Sequence, residues 1–207
     1  MADSTLPCSL HGIGNSMYIA GGRQVLYALD RPWRITPLER AALDFLNVVI
    51  AVPVYNEDPG ILRKALLSML AQDRLPDRVH VTDDGSDAAD YTAVRREISA
   101  RAALAGVRFS WERTSNGGKR RAHAVAVDGS PDADIYVTVD SDSVLDRRAV
   151  GELLAPFADP RVQSVAGVFL AANNRGTLLA RVLDLAYLPS QLMVRGGMSV
   201  MGSVVRS

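Results

Sequence analysis

The chain has 207 residues, 48% apolar and 22% charged, with a formal net charge of zero. That balance describes one ordinary folded core; it excludes a disordered chain and gives no basic field for nucleic acid. Cys8 is the single cysteine, so an intrachain disulfide framework is excluded and a reducing compartment is the expectation.

Residues 1–46 read as an N-terminal arm broken by Gly12, Gly14, Gly21, Gly22, Pro32 and Pro37. No basic stretch leads into an apolar one there, and Gly12-Ile13-Gly14 lacks the preceding strand and third glycine of a dinucleotide fingerprint. A short helix is predicted at Pro37–Leu43, with Thr36 as its cap and Pro37 in its first turn.

From Asn47 strands and helices alternate. Val48–Val52 reads as a strand buried on both faces and ended by Pro53. Asp58-Pro59 opens a helix whose apolar stripe is Ile61, Leu62, Ala65, Leu66, Met69 and Leu70. Val79–Val81 is a second strand, 88–105 a helix, 107–111 a third strand and 119–127 a helix. Strand 135–139, helix 147–157, strand 162–170 and helix 177–188 complete the pattern. Such alternation predicts an α/β fold with a mostly parallel sheet. The longest apolar run, 48–55, falls far short of the ~20 residues of a membrane helix, so the chain as given reads as soluble and cytoplasmic.

In open α/β sheets ligands sit beyond the carboxyl ends of the strands. Four polar clusters fall at that edge: Tyr55-Asn56-Glu57, Asp83-Asp84-Gly85-Ser86, Asn116 to Arg121, and Asp140-Ser141-Asp142. The Asp-Ser-Asp pair offers hard oxygen ligands of the kind that Mg²⁺ or Mn²⁺ shares with phosphates. Lys119, one of only two lysines, opens a helix beside Arg120, where free amides and the helix dipole favour a phosphate. Each cluster also has a plain reading. Asp58 is a helix cap, Asp83 to Ser86 a capped turn, Asn116-Gly117-Gly118 an ordinary turn, Arg120-Arg121 a solvated face, and Asp140 to Asp142 a loop start followed by a cap. His11, His80 and His123 lack metal-ligand spacing and read as structural, with His123 nearest the clusters.

Their order carries a resemblance. Val-Pro-Val-Tyr-Asn-Glu (52–57), Asp-Asp-Gly-Ser (83–86), Gly-Lys-Arg (118–120) and Asp-Ser-Asp (140–142) resemble inverting family 2 glycosyltransferases of the GT-A fold. The stretch Phe157 to Val162, then Gly167, Asn174-Arg175, Leu178 to Arg181 and Asp184 to Tyr187, is similar to hyaluronan synthases, chitin synthases and the chitin-oligosaccharide synthases of nodulation. The resemblance covers 47–207 and implies a donor-binding domain, incomplete at its C-terminus, that takes a UDP-sugar and a divalent metal and serves a saccharide acceptor. It implies that Pro53 and Tyr55 line the uracil pocket, with Glu57 in the same motif, and that Asp84 bonds the uracil ring with Asp83 beside it. Lys119 and Arg120 are implied at the diphosphate, Asp140 at ribose and metal, and Asp142 as a direct metal ligand.

Relatives continue past the position of Ser207 into a general-base motif, a Gln-x-x-Arg-Trp motif and membrane helices. The catalytic base is therefore expected beyond Ser207, and membrane attachment only through segments absent from this chain. Full-length relatives are membrane proteins with a cytoplasmic active site. Gly196-Gly197-Met198 also departs from the family's usual residues. Two alternatives stand beside this reading: a non-catalytic nucleotide-sugar binding domain, and a haloacid-dehalogenase-type phosphatase using Asp140 as nucleophile.

Overall fold

The computed structural model describes residues 35–167. Thr36 and Glu39 form a reciprocal capping box that starts α1, Pro37–Asp44. Then come β1 (Val48–Val54), α2 (Pro59–Met69), β2 (Arg78–Asp83), α3 (Thr92–Ala105), β3 (Arg108–Arg113), α4 (Lys119–Asp128), β4 (Ile135–Thr138) and α5 (Ala149–Leu154). A 3₁₀ turn, Ala155–Ala158, follows α5, and α1 packs against it. These elements lie in one compact unit, Trp33–Val165.

All four strands pair in parallel, in the order β3-β2-β1-β4. Val48, Val49, Ile50, Ala51 and Val52 are each at most 1% exposed, which is why β1 reads as an unbroken apolar run. The two faces of the sheet differ. Val48, Ile50, Val52, Val79 and Val81 join Leu62, Leu66 and Met69 of α2 and Val94 and Ile98 of α3 in one apolar cluster. Truncating a buried leucine such as Leu66 to alanine in such a cluster costs ~2–5 kcal/mol. The other face lies under α4, whose buried residues are only Ala122 and Ala126. There β2 presents Arg78, His80 and Thr82, whose Nε, Nε2 and Oγ1 atoms are buried without a partner among the described residues.

The predicted elements hold, with four differences. β1 continues through Pro53 to Val54. Even-numbered carbonyls of β1 accept from the β2 side and odd-numbered ones from the β4 side, so the amide that Pro53 lacks would face β4. Pairing with β4 ends at Ala51, so nothing is lost there. α3 starts at Thr92 rather than 88; the Asn56 side chain holds the Asp87 and Ala88 amides in a loop against the β1 exit. The helix predicted at 147–157 is α5 plus the 3₁₀ turn. The strand predicted at 162–170 is absent from 162–167, where Val162 closes a turn onto Asp159 and finds no sheet partner among the described residues. Residues 168–170, the helix at 177–188 and the arm before residue 35 lie outside the described residues. Among those described, no helix is long and apolar enough to cross a membrane.

Candidate functional site

β2 and β3 lie on one side of β1 and β4 on the other, so the winding reverses between the ends of β1 and β4. Parallel sheets open a crevice at such a point. A cleft of about 270 Å³ sits there. β1 and its exit supply Pro53, Val54, Tyr55 and Glu57; Asp84 follows β2, Lys119 begins α4, and Asp140, Ser141 and Asp142 follow β4. A larger hollow, about 610 Å³, opens near the amino ends of β1 and β2, among Arg40, Arg74, Arg148, Asp44, Asp73 and Glu152. Arg74 is committed there to the carbonyls of Asp44 and Leu46, at 3.2 and 2.6 Å. The smaller cleft is at the strand edge where α/β sheets bind ligands, and it collects seven of the nine predicted residues.

Side-chain bonds tie the loops around this cleft to one another. Asn56, in the left-handed region at φ 48°, accepts the amides of Asp87 (3.0 Å) and Ala88 (2.9 Å), and its Nδ2 donates to the Asp87 carboxylate at 2.9 Å. Asparagine tolerates that backbone conformation and closes such turns with its own side chain. Asp84 Oδ1 accepts the amide of Gly117 at 2.9 Å and its Oδ2 that of Gly118 at 2.7 Å. Lys119 Nζ reaches Asp140 Oδ1 at 2.5 Å. Ser141 Oγ donates to Glu57 Oε2 at 3.1 Å, which returns the circuit to the β1 exit. Asn56 and Ser141 lie inside two of the clusters, but the motifs assign neither of them a role. The signal for Asn56 is its type and place, a turn-forming residue directly after a strand.

Asp83 and Arg120 do not line the cleft. Asp83 is 4% exposed, accepts the Ser86 amide at 2.9 Å, and lies 3.8 Å from Arg113 Nε. It belongs to the turn rather than to the opening. Arg120 is exposed beside Lys119 on α4. Asp58 caps α2 by accepting from Gly60 and Ile61, at 2.8 and 2.9 Å.

Asp140 and Asp142 behave differently from Asp83 and Asp84. Both are exposed; Asp140 holds only Lys119, and Asp142 only the Ser143 hydroxyl at 3.4 Å, among the described residues. Most of their carboxylate lone pairs are therefore free for a hard cation. No three His, Cys, Asp or Glu side chains among the described residues converge to hold a metal unaided. Two carboxylates completed by ligand phosphates are what a Mg²⁺ site commonly uses, so the donor set fits such an ion. His123, one turn along α4 from Lys119, is held below its ordinary range first by burial and then by the Lys119 charge, against the pull of Asp140.

The description "Glycosyl transferase family 2" matches residues 49–199. The chain is 35% identical over 187 residues to an N-acetylglucosaminyltransferase of Rhizobium meliloti, covering 88% of this chain and 42% of that protein. It is 33% identical over 160 residues to a hyaluronan synthase of Streptococcus pyogenes, covering 77% and 38%. It thus spans about 40% of the length of these relatives. Among solved structures, a mannosyltransferase from Pyrobaculum calidifontis in complex with GDP-Man and Mn²⁺ superposes with a TM-score of 0.51 at 24% identity, over 74% of this chain and 46% of that one. That likeness is one of fold, the GT-A arrangement of a parallel sheet flanked by helices.

Proposed function

Because this chain belongs to glycosyl transferase family 2, we propose that residues 47–207 form the donor-binding domain of a hexosyltransferase of the hyaluronan- and chitin-synthase type. It takes a UDP-sugar with Mg²⁺ or Mn²⁺ and passes the sugar, with inversion, to a saccharide hydroxyl. The observation that carries this reading is the cleft at the winding reversal, which is lined by the exposed pair Asp140 and Asp142 and by Lys119, paired with Asp140 at 2.5 Å. Names of relatives at 33–35% identity support the class of sugar chemistry.

Roles follow from charge and position. Pro53 and Tyr55 form the wall for the uracil ring, and Tyr55 is 54% exposed with its ring free to stack. Asp84 accepts from the base, since each of its oxygens keeps lone-pair capacity beyond the one amide it holds. Lys119 binds the diphosphate, helped by the unpaired amides of the first turn of α4. Arg120 adds positive charge near that end. Asp140 and Asp142 would hold the metal ion, which supplies charge neutralisation for the departing diphosphate. Glu57 holds the Asp140–Asp142 loop through Ser141. No catalytic base is assigned among the described residues.

The test is a competition among UDP, GDP and ADP for the chain in Mn²⁺, followed by release of sugar from UDP-N-acetylglucosamine. Preference for UDP with slow sugar release is the expected result. Equal affinity for the three nucleotides would remove the uridine assignment, and no nucleotide binding at all would remove the donor site.

A further inference from the structure

We propose that Asp84 is a positioning residue that fixes where Lys119 stands, so that base recognition and diphosphate recognition share one carboxylate. This inference rests on the donor-site reading and deepens it. Asp84 is 3% exposed, and its own amide is fixed to the Val54 carbonyl at 2.8 Å. From that anchored backbone its two oxygens reach the consecutive amides of Gly117 and Gly118, at 2.9 and 2.7 Å, with the Thr114 hydroxyl farther off at 3.4 Å. Lys119 is the next residue and the first of α4.

The helix has no cap of its own, since Gly118 occupies the cap position and bears no side chain. The Asp84 carboxylate instead holds the two amides immediately before the helix, through bonds of the stronger, charge-assisted kind, and so fixes the residue at the cap position. The loop cannot easily find another seat. Gly118 sits at φ 85°, and a Cβ on Gly85 would come within 2.8 Å of the Asn116 amide, so the β2 turn and this loop are pressed together. Lys119 then spans from a fixed starting point to Asp140. An asparagine at 84 would turn an NH₂ toward one of the two amide donors, breaking half of the latch without changing side-chain size.

Pyrophosphate separates latch from base contact, because it carries the diphosphate charge and no base. Titration of the full chain in Mn²⁺ should show Asp84→Asn weakening pyrophosphate about tenfold, the loss of one charge-assisted hydrogen bond. Gly118→Ala keeps the carboxylate and, with nothing within 4 Å of its new Cβ, strains only the loop. It should weaken pyrophosphate and UDP by the same factor. In a Lys119→Ala background the added effect of Asp84→Asn on pyrophosphate should shrink below about twofold, the non-additivity expected of groups acting through one another and not of general destabilisation. Thermal unfolding of each variant reports the folded fraction. Wild-type pyrophosphate affinity in Asp84→Asn, or full additivity with Lys119→Ala, would overturn the latch while leaving the donor site intact. If Asp84→Asn does not fold, wild-type affinity in Gly118→Ala overturns it alone. Failure of the parent chain to bind either ligand would instead overturn the donor-site reading, and the latch with it.

Discussion

The two acidic strand ends look alike in sequence and differ in structure. Asp83 ends β2 and Asp84 follows it; they are 4% and 3% exposed and hold backbone amides of Ser86, Gly117 and Gly118. Asp140 and Asp142 follow β4, lie in solvent, and hold one lysine and one distant hydroxyl among the described residues. A buried carboxylate that holds main-chain donors shapes the fold around it. One with free lone pairs at the mouth of a cleft is available to a ligand. The same residue type is thus tied into the main chain at one strand end and left open to solvent at the other.

That contrast can be broken most sharply at Asp142. Asp142→Ala should cost metal-dependent UDP binding about a hundredfold or more, while the urea midpoint stays within the ~0.5 kcal/mol typical of exposed sites. A binding curve that superposes on the parent's would place the metal elsewhere.

The mirror image is Asp83→Ala. Removing a buried acceptor leaves the Ser86 amide without its partner, a loss of ~1–3 kcal/mol in urea unfolding, with nucleotide affinity of the folded fraction changed less than about twofold. A larger effect on binding than on stability would put Asp83 in the site after all. Asn56→Ala should fall next, near ~1 kcal/mol, because the turn at 86–88 loses its clasp but keeps solvent access.

The polar face of β2 predicts a pH dependence. Burial holds both His80 and His123 below the ordinary imidazole range, so the unfolded chain binds more protons than the folded one. Stability should be full above pH ~6.5 and decline as pH falls through the depressed folded values. Urea midpoints measured across this range check it, and a midpoint that rises on acidification would contradict the burial argument. The smallest effect is expected from Lys119→Ala on stability, within ~0.5 kcal/mol, since its ion pair with Asp140 is more than half exposed.

Local signals decided what the chain itself could reveal. Asp58-Pro59 and the stripe to Met69 specify α2 without outside help, and the solid apolar run of β1 states that both its faces are covered. Pro53 reads as a strand end in sequence, because the side on which its missing amide falls depends on where β4 stops, a distant fact. Where the first turn of α3 is expected, the chain is held as a loop by the Asn56 side chain, some thirty residues upstream. At the site, Asp140, Asp142 and Lys119 were legible from their places after a strand and before a helix. The difference between Asp83 and Asp84 was present as strand parity: Val79, Val81 and Asp83 share one face of β2, while His80 and Thr82 share the other, and Asp84 is the first residue past the strand. That Asp84 reaches Gly117 and Gly118 was not legible, because it depends on how the loop before α4 folds back.

The most direct test of the central claim is calorimetric titration of the 207-residue chain with UDP, once in Mn²⁺ and once in EDTA. The account predicts binding in Mn²⁺ that is weakened at least about tenfold by EDTA, as expected when a metal bridges protein carboxylates and ligand phosphates. Equal affinity in both buffers, or none in either, would contradict it.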